Sequence, residues 1–282
     1  SNLIKYSTTE SFENPEQITH PLFREILKEY WDFNKKIEMA SFADIRSGTG
    51  LGSSSAFAIA LISLLLRLKN QTFTPYSLSK AAFKIEREIL NDKVGLQDGA
   101  FAAYGGCCHF EFSKENIIDH KTVNISEDVL NTMKDSMFLV YTGESRSASK
   151  YLSTHTKNLA SLEDKYLTQS KIMSFVKPGK KALEEGDFKT LASMIRESYE
   201  LKKTLNGDNK YLPEKVKSIE EILESPCVWG YKLLGAGGGG FFLIMGEPKF
   251  LKEYLLKSGL NPITIQTDFK GCRVFSFDYE ST

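Results

Sequence analysis

The apolar positions of this chain fall into helical and strand periods that are interrupted twice by dense glycine. Over residues 21–31, Leu22, Ile26 and Tyr30 share one helical stripe with Leu27 beside it, which predicts a helix. Residues 37–43 (IEMASFA) read as a strand that delivers the chain to a glycine-rich loop. Residues 54–69 follow as a helix so continuously apolar that it is expected between layers. A Thr74-Pro75 turn opens a second helix over 76–90. Residues 101–112 and 117–124 read as paired strands, and 136–141 (SMFLVY) as a further one. Helical spacing returns over 147–158, 162–185, 187–203 and 212–225. Strands at 231–234 and 241–245 flank a second glycine run, and a helix at 248–258 and strands at 263–267 and 273–278 close the chain. Residues 1–19 are polar and irregular, with Ile4 and Tyr6 assigned to an edge strand. Helices and strands mix without strict βαβ alternation, so the expected class is α+β, with domains over 1–134 and 135–282.

At 282 residues the chain is long enough for two modest cores. Lysine plus arginine and aspartate plus glutamate each number 36, and this zero balance argues against nucleic acid or an anionic membrane as a partner. Cys107, Cys108, Cys227 and Cys272 lack C-x-x-C spacing. They read as reduced thiols, with Cys107 and Cys108 facing opposite sides of a strand, rather than as a zinc site. The longest apolar run, 56–66, is too short to span a bilayer, and the chain opens with no signal-peptide pattern, so a cytoplasmic location is expected. The four histidines are scattered without ligand spacing.

The candidate chemistry lies in the glycine runs. Gly48, Gly50 and Gly52 alternate ahead of Ser53, Ser54 and Ser55, and the apolar helix follows at once. Backbone N–H groups at a helix N-terminus hold phosphate, and glycine lets the chain approach the anion closely. The serines add hydroxyls for phosphate oxygens or Mg²⁺. No lysine follows Gly52, so this is not the P-loop. Ser55 stands where the dinucleotide fingerprint has glycine, and residues 65–71 offer no acidic strand end, which argues against an NAD-binding unit. No protein-kinase H-R-D or D-F-G occurs. A plain Gly/Ser cap on a buried helix has the same appearance. The second run holds five glycines in six residues, Gly235 to Gly240, more than a bare turn requires.

Residues 50–56 (GLGSSSA) resemble the second motif of the GHMP kinases, the family of galactokinase, homoserine kinase and mevalonate kinase. Residues 233–241 (LLGAGGGGF) resemble its third motif, and Glu86 with 94–98 (VGLQD) its metal-ligand helix and catalytic-aspartate loop. Residues 97–106 (QDGAFAAYGG) and 141–148 (YTGESRSA) look closest to the heptose-phosphate kinase branch. The resemblance implies a two-domain α+β fold with a ferredoxin-like second domain and the active site in the cleft between them. It implies ATP and Mg²⁺ as cofactors and a sugar or sugar-phosphate acceptor. Carried onto this chain, Gly48, Gly50, Leu51, Gly52, Ser53 and Ser55 would cradle phosphate, with Gly237 and Gly238 closing over the site. Ser54 and Glu86 would be the Mg²⁺ ligands, and Asp98 would orient or deprotonate the acceptor hydroxyl. Gln97, Arg146 and Lys203 would meet the acceptor. Read alone, Glu86 is equally a solvated helix carboxylate, Asp98-Gly99 a turn pair, and Arg146 a solvated residue at a helix start. The Lys202-Lys203 pair is equally a partner of a helix dipole.

Two departures stand out. Arg46 occupies the place of a family proline, and nothing in residues 1–46 resembles the family's first motif. The chain is therefore expected to be part of a longer protein, with the first strands of the N-terminal domain absent. The specific expectation is phosphorylation of the anomeric hydroxyl of a heptose 7-phosphate. Hexose, mevalonate or homoserine as acceptor, and a non-catalytic sensor that keeps the fold, stand as alternatives. The oligomeric state stays open, a homodimer included.

Overall fold

One side chain of the first strand bonds to both of its neighbours. In the computed structural model, which describes residues 1–144, 162–205, 212–235 and 238–277, Asn2 donates to the Phe12 carbonyl (3.3 Å) and accepts from the Ile37 amide (2.9 Å). It thereby ties β1 (Asn2–Lys5) to neighbours on both sides: β2 (Thr9–Phe12), antiparallel, and β3 (Glu38–Ala40), parallel. β1 is thus the middle strand of three, with Ile4 fully buried, and the expected edge position is corrected.

The described residues form two units, one of 1–46, 52–122 and 268–277, the other of 47–51 and 123–267. In the first, α1 (Pro21–Tyr30) buries Leu22, Ile26 and Leu27 of its predicted stripe, and α2 (Ser53–Leu68) buries Ala58, Ile59, Ile62 and Leu65 against α1 and the two helices that follow it. A Thr74/Ser77 capping box starts α3 (Pro75–Phe83), which runs on into a π-helical turn, Lys84–Ile89. The expected long strand over 101–112 divides. Residues 101–104 end helix α4 (Leu96–Tyr104), because an alanine-rich stretch favours helix until Gly105, at φ +69°, stops it. Only β4 (Cys108–Phe112) is strand, paired antiparallel with β5 (Ile118–Thr122), and Cys107 lies outside it.

In the second unit Ser126 caps α5 (Glu127–Ser136), a helix that spans the expected 134/135 boundary, and β6 (Met137–Tyr141) follows. The predicted helix over 162–185 breaks at Phe175 into α6 (Leu162–Ser174) and α7 (Val176–Glu185). Then come α8 (Phe188–Leu205), α9 (Glu214–Leu223), β7 (Val228–Leu233), β8 (Phe241–Gly246), α10 (Leu251–Lys257) and β9 (Pro262–Thr264). The sheet order is β7-β8-β6-β9 with every pair antiparallel, the split βαβ arrangement of a ferredoxin-like fold. Phe138, Val140, Tyr231, Leu233, Phe242 and Ile244 form its core with residues of α9 and α10. Gly230 lets α8 lie directly on β7, since a Cβ there would sit 2.2 Å from the Ala192 carbonyl oxygen. Residues 273–277 form no strand, and the helix expected over 147–158 lies outside the described residues. Among the described residues no helix is long and apolar enough to cross a membrane.

Candidate active site

In the first unit the glycine loop ends at Gly52, whose left-handed backbone (φ +69°) starts α2 without any side-chain cap. Gly52 thus offers no side-chain oxygen to the first-turn amides of Ser53, Ser54 and Ser55, which is the condition of a helix N-terminus prepared for an anion. The Ser54 hydroxyl donates to Glu86 Oε1 (2.6 Å) and the Ser55 hydroxyl to Oε2 (2.7 Å). Glu86 is 2% exposed and lies in the π-helical turn, where the Leu90 amide reaches back five residues to Ile85 (2.9 Å). Such single-turn bulges re-aim side chains and recur at functional sites. Burial pushes the Glu86 carboxyl above its usual range, the two serine bonds oppose that, and the nearby Asp92 and Asp98 carboxylates add to it.

Asp98 stands exposed in the first turn of α4, with exposed Gln97 beside it. Its side chain packs against the turn of the phosphate loop: a Cβ on Gly52 would lie 3.2 Å from Asp98 Cγ. One buried and one exposed carboxylate thus flank the start of the same helix.

In the second unit residues 47–51 pack on the other glycine run. A Cβ on Gly50 (φ +85°) would come within 2.8 Å of the Leu234 carbonyl oxygen, and one on Gly240 (φ +104°) within 2.1 Å of that of Thr49. The Gly240 carbonyl accepts from the Thr142 amide and hydroxyl, both at 2.9 Å, and its amide donates to Glu144 (2.9 Å). Gly238 is also left-handed, whereas Gly237 and Arg146 lie outside the described residues. Of the lysine pair, Lys202 donates to the Gly235 carbonyl. Lys203 instead pairs with Glu200 (2.9 Å) and Glu220 (3.3 Å) above the Tyr199 ring, an ammonium already engaged. Lys232, which sequence reasoning did not single out, meets the Ser198 hydroxyl (3.1 Å) two residues before Leu234, and burial lowers its pKa. Nothing local distinguishes it: its placement comes from the packing of α8 on β7.

Among the described residues no cluster of three or more histidine, cysteine or acidic side chains could hold a metal. The Ser54–Glu86 pair offers one hydroxyl and one carboxylate, an all-oxygen set.

Residues 20–106 match the N-terminal domain of the GHMP kinases and residues 180–257 their C-terminal domain, together more than half of the chain. The chain belongs to the GHMP kinase family. As a member of it, the protein is an ATP-dependent phosphotransferase. D-glycero-alpha-D-manno-heptose 7-phosphate kinase of Campylobacter jejuni is 28% identical over 81% of this chain and 67% of its own. Mevalonate kinase of Thermococcus sibiricus is 25% identical over 85% of this chain and 69% of its own. The fold is shared with a D-glycero-D-manno-heptose 1-phosphate kinase from Bacteroides thetaiotaomicron, at TM-score 0.70 and 19% identity over 97% of this chain and 83% of that one. Streptococcus pneumoniae phosphomevalonate kinase superposes at TM-score 0.68 with 17% identity, covering 95% and 87%.

Proposed function

We propose that this GHMP kinase transfers the terminal phosphoryl group of ATP to a hydroxyl of a sugar phosphate, with the anomeric hydroxyl of a heptose 7-phosphate as acceptor. The observation that carries this reading is the convergence of Ser54, Ser55, Glu86 and Asp98 on the first turn of α2. The amides of Ser53, Ser54 and Ser55 hold phosphate oxygens at the positive end of the helix. Ser54 and Glu86 would hold Mg²⁺, which favours one or two protein oxygens and leaves its other positions to phosphate and water. That ion supplies neutralisation of charge on the transferring group. Asp98, exposed beside the loop, accepts the proton of the acceptor hydroxyl as that oxygen bonds to phosphorus and the bond to ADP breaks. The heptose choice is favoured by the Campylobacter relative, a heptose 7-phosphate kinase. Four free cysteines suit a cytoplasmic enzyme.

The test is Mg²⁺-dependent ADP release by the full-length protein, screened with heptose 7-phosphates, hexoses, mevalonate and homoserine. Stimulation by a heptose 7-phosphate is expected. Asp98→Ala should lower kcat by about 10²–10⁴-fold, the range of a positioned base, with nucleotide affinity retained. Robust turnover in that variant would remove Asp98 from the chemistry. Silence across the panel with ATP still bound would favour a sensor.

A further inference from the structure

We infer that residues 268–272 are a strap that positions Asp98 against the phosphate loop, with Gly105 and Gly271 as the positioning residues. The inference rests on the reading of Asp98 as the base. The strap touches the far portions of the two helices whose first turns make the site. On α4, the Gly106 amide donates to the Asp268 carbonyl (2.6 Å) and the Cys272 amide to that of Ala103 (3.3 Å). On α2, the Cys272 thiol donates to the buried Ser63 hydroxyl (3.1 Å). The opposite ends of these helices carry Asp98 and the serines.

The contact between strap and α4 is backbone against backbone. A Cβ on Gly105 would lie 2.2 Å from the Gly271 nitrogen, and one on Gly271 would lie 2.4 Å from the Ala103 carbonyl oxygen. Both glycines are left-handed, at φ +69° and +62°, so a side chain at either is strained even before it collides. No flexible side-chain end is present to yield, so any added atom must displace the strap or α4. A helix of nine residues spans only about 13 Å and moves as a rod, so displacement at its last turn reaches Asp98 in its first. Errors of about 1 Å in the placement of a reacting group cost about 10²-fold in rate. The strap's own shape depends on Asp268, whose carboxylate accepts from the Lys270 amide (2.7 Å) and pairs with Arg273 (2.9 Å).

The experiment compares kcat, KM for ATP and nucleotide-analogue affinity in the full-length protein for Gly271→Ala, Asp268→Ala, Asp268→Asn and Asp98→Ala. Gly271→Ala is expected to lower kcat by about 10- to 100-fold while KM for ATP stays within about twofold, because the atoms that a side chain on Gly271 would meet belong to α4 and not to the helix that carries the phosphate cradle. Asp268→Ala, which loosens the strap without adding an atom, should lower kcat by a smaller factor, about three- to tenfold. Asp268→Asn keeps an acceptor for the Lys270 amide and should restore most of it. A merely structural role would reduce the fraction of active enzyme and leave kcat per active site unchanged. If Gly271→Ala does not fold, the Asp268 pair decides. Activity lost in Asp98→Ala but intact in the folded strap variants overturns the strap alone. Activity that survives Asp98→Ala overturns the base, and the strap's purpose falls with it.

Discussion

Glu86 is the residue at which stability and function pull apart. Its folded pKa lies above the ordinary 4.5 because burial disfavours the carboxylate. Between 4.5 and that raised value the native state holds more protons than the unfolded chain, so stability falls as pH rises through this window. At neutral pH the ionised group therefore weakens the fold. Glu86→Gln keeps the shape and a partner for at least one serine but removes the charge. It should raise Tm at pH 7.5, show no gain near pH 4, and lose Mg²⁺-dependent turnover. A lower Tm at pH 7.5 would show that the two serine bonds outweigh the burial of charge. The same residue illustrates how far sequence reaches: a glutamate in KIERE reads equally as a solvated carboxylate. Its burial follows from the π-helical turn and from two serines that lie on another helix.

At the scale of elements, α1 was legible because its apolar positions repeat at the helical period, and α2, β6 and β8 because each is an apolar run bounded by polar or glycine residues. The elements misread are those for which tertiary context decides. Phe101–Tyr104 carries aromatics that suit a strand, yet it completes a helix whose buried side presents Gly99, Ala100 and Ala103. β1 is central because it pairs along both edges, with the Asn2 side chain adding a bond on each side. Glu10 does similar work between β2 and α1. It accepts from Tyr6 (2.6 Å), from the Thr19 amide (2.6 Å) and hydroxyl (2.7 Å), and from the His20 amide (3.3 Å). Desolvation acts to raise its pKa, but these bonds prevail and hold it at about 2. A depressed carboxylate contributes stability that is present above 4.5 and lost as pH falls toward about 2. Glu10→Gln should cost about 1–2 kcal/mol at pH 7, the shift being discounted for partial solvent screening. Acid unfolding monitored by circular dichroism should show wild type losing this increment between pH 4.5 and 2 while the variant has none to lose.

At the scale of the molecule, the site's motifs were readable because glycine and serine at fixed spacing carry their own chemistry. Gly105 and Gly271 were not, since each is an ordinary turn glycine until the chain brings them together. The strand order β7-β8-β6-β9 is likewise a property of crossover connections that no local period encodes. What the whole chain shares is its ligand linkage. A nucleotide that binds only the folded state stabilises it by RT ln(1 + [L]/Kd), about 2.7 kcal/mol at one hundred times Kd. At about 2–4 °C per kcal/mol for a protein of this size, a non-hydrolysable ATP analogue with Mg²⁺ should raise Tm by about 5–10 °C. EDTA should remove part of that shift if Ser54 and Glu86 hold the ion. Asp98→Ala, which acts after binding, should keep the full shift. Glu86→Ala should show the same smaller shift with Mg²⁺ or with EDTA, because only the metal's share is lost. An EDTA-sensitive shift that persists in Glu86→Ala would place the ion elsewhere, and one absent from Asp98→Ala would make Asp98 a binding residue rather than a base.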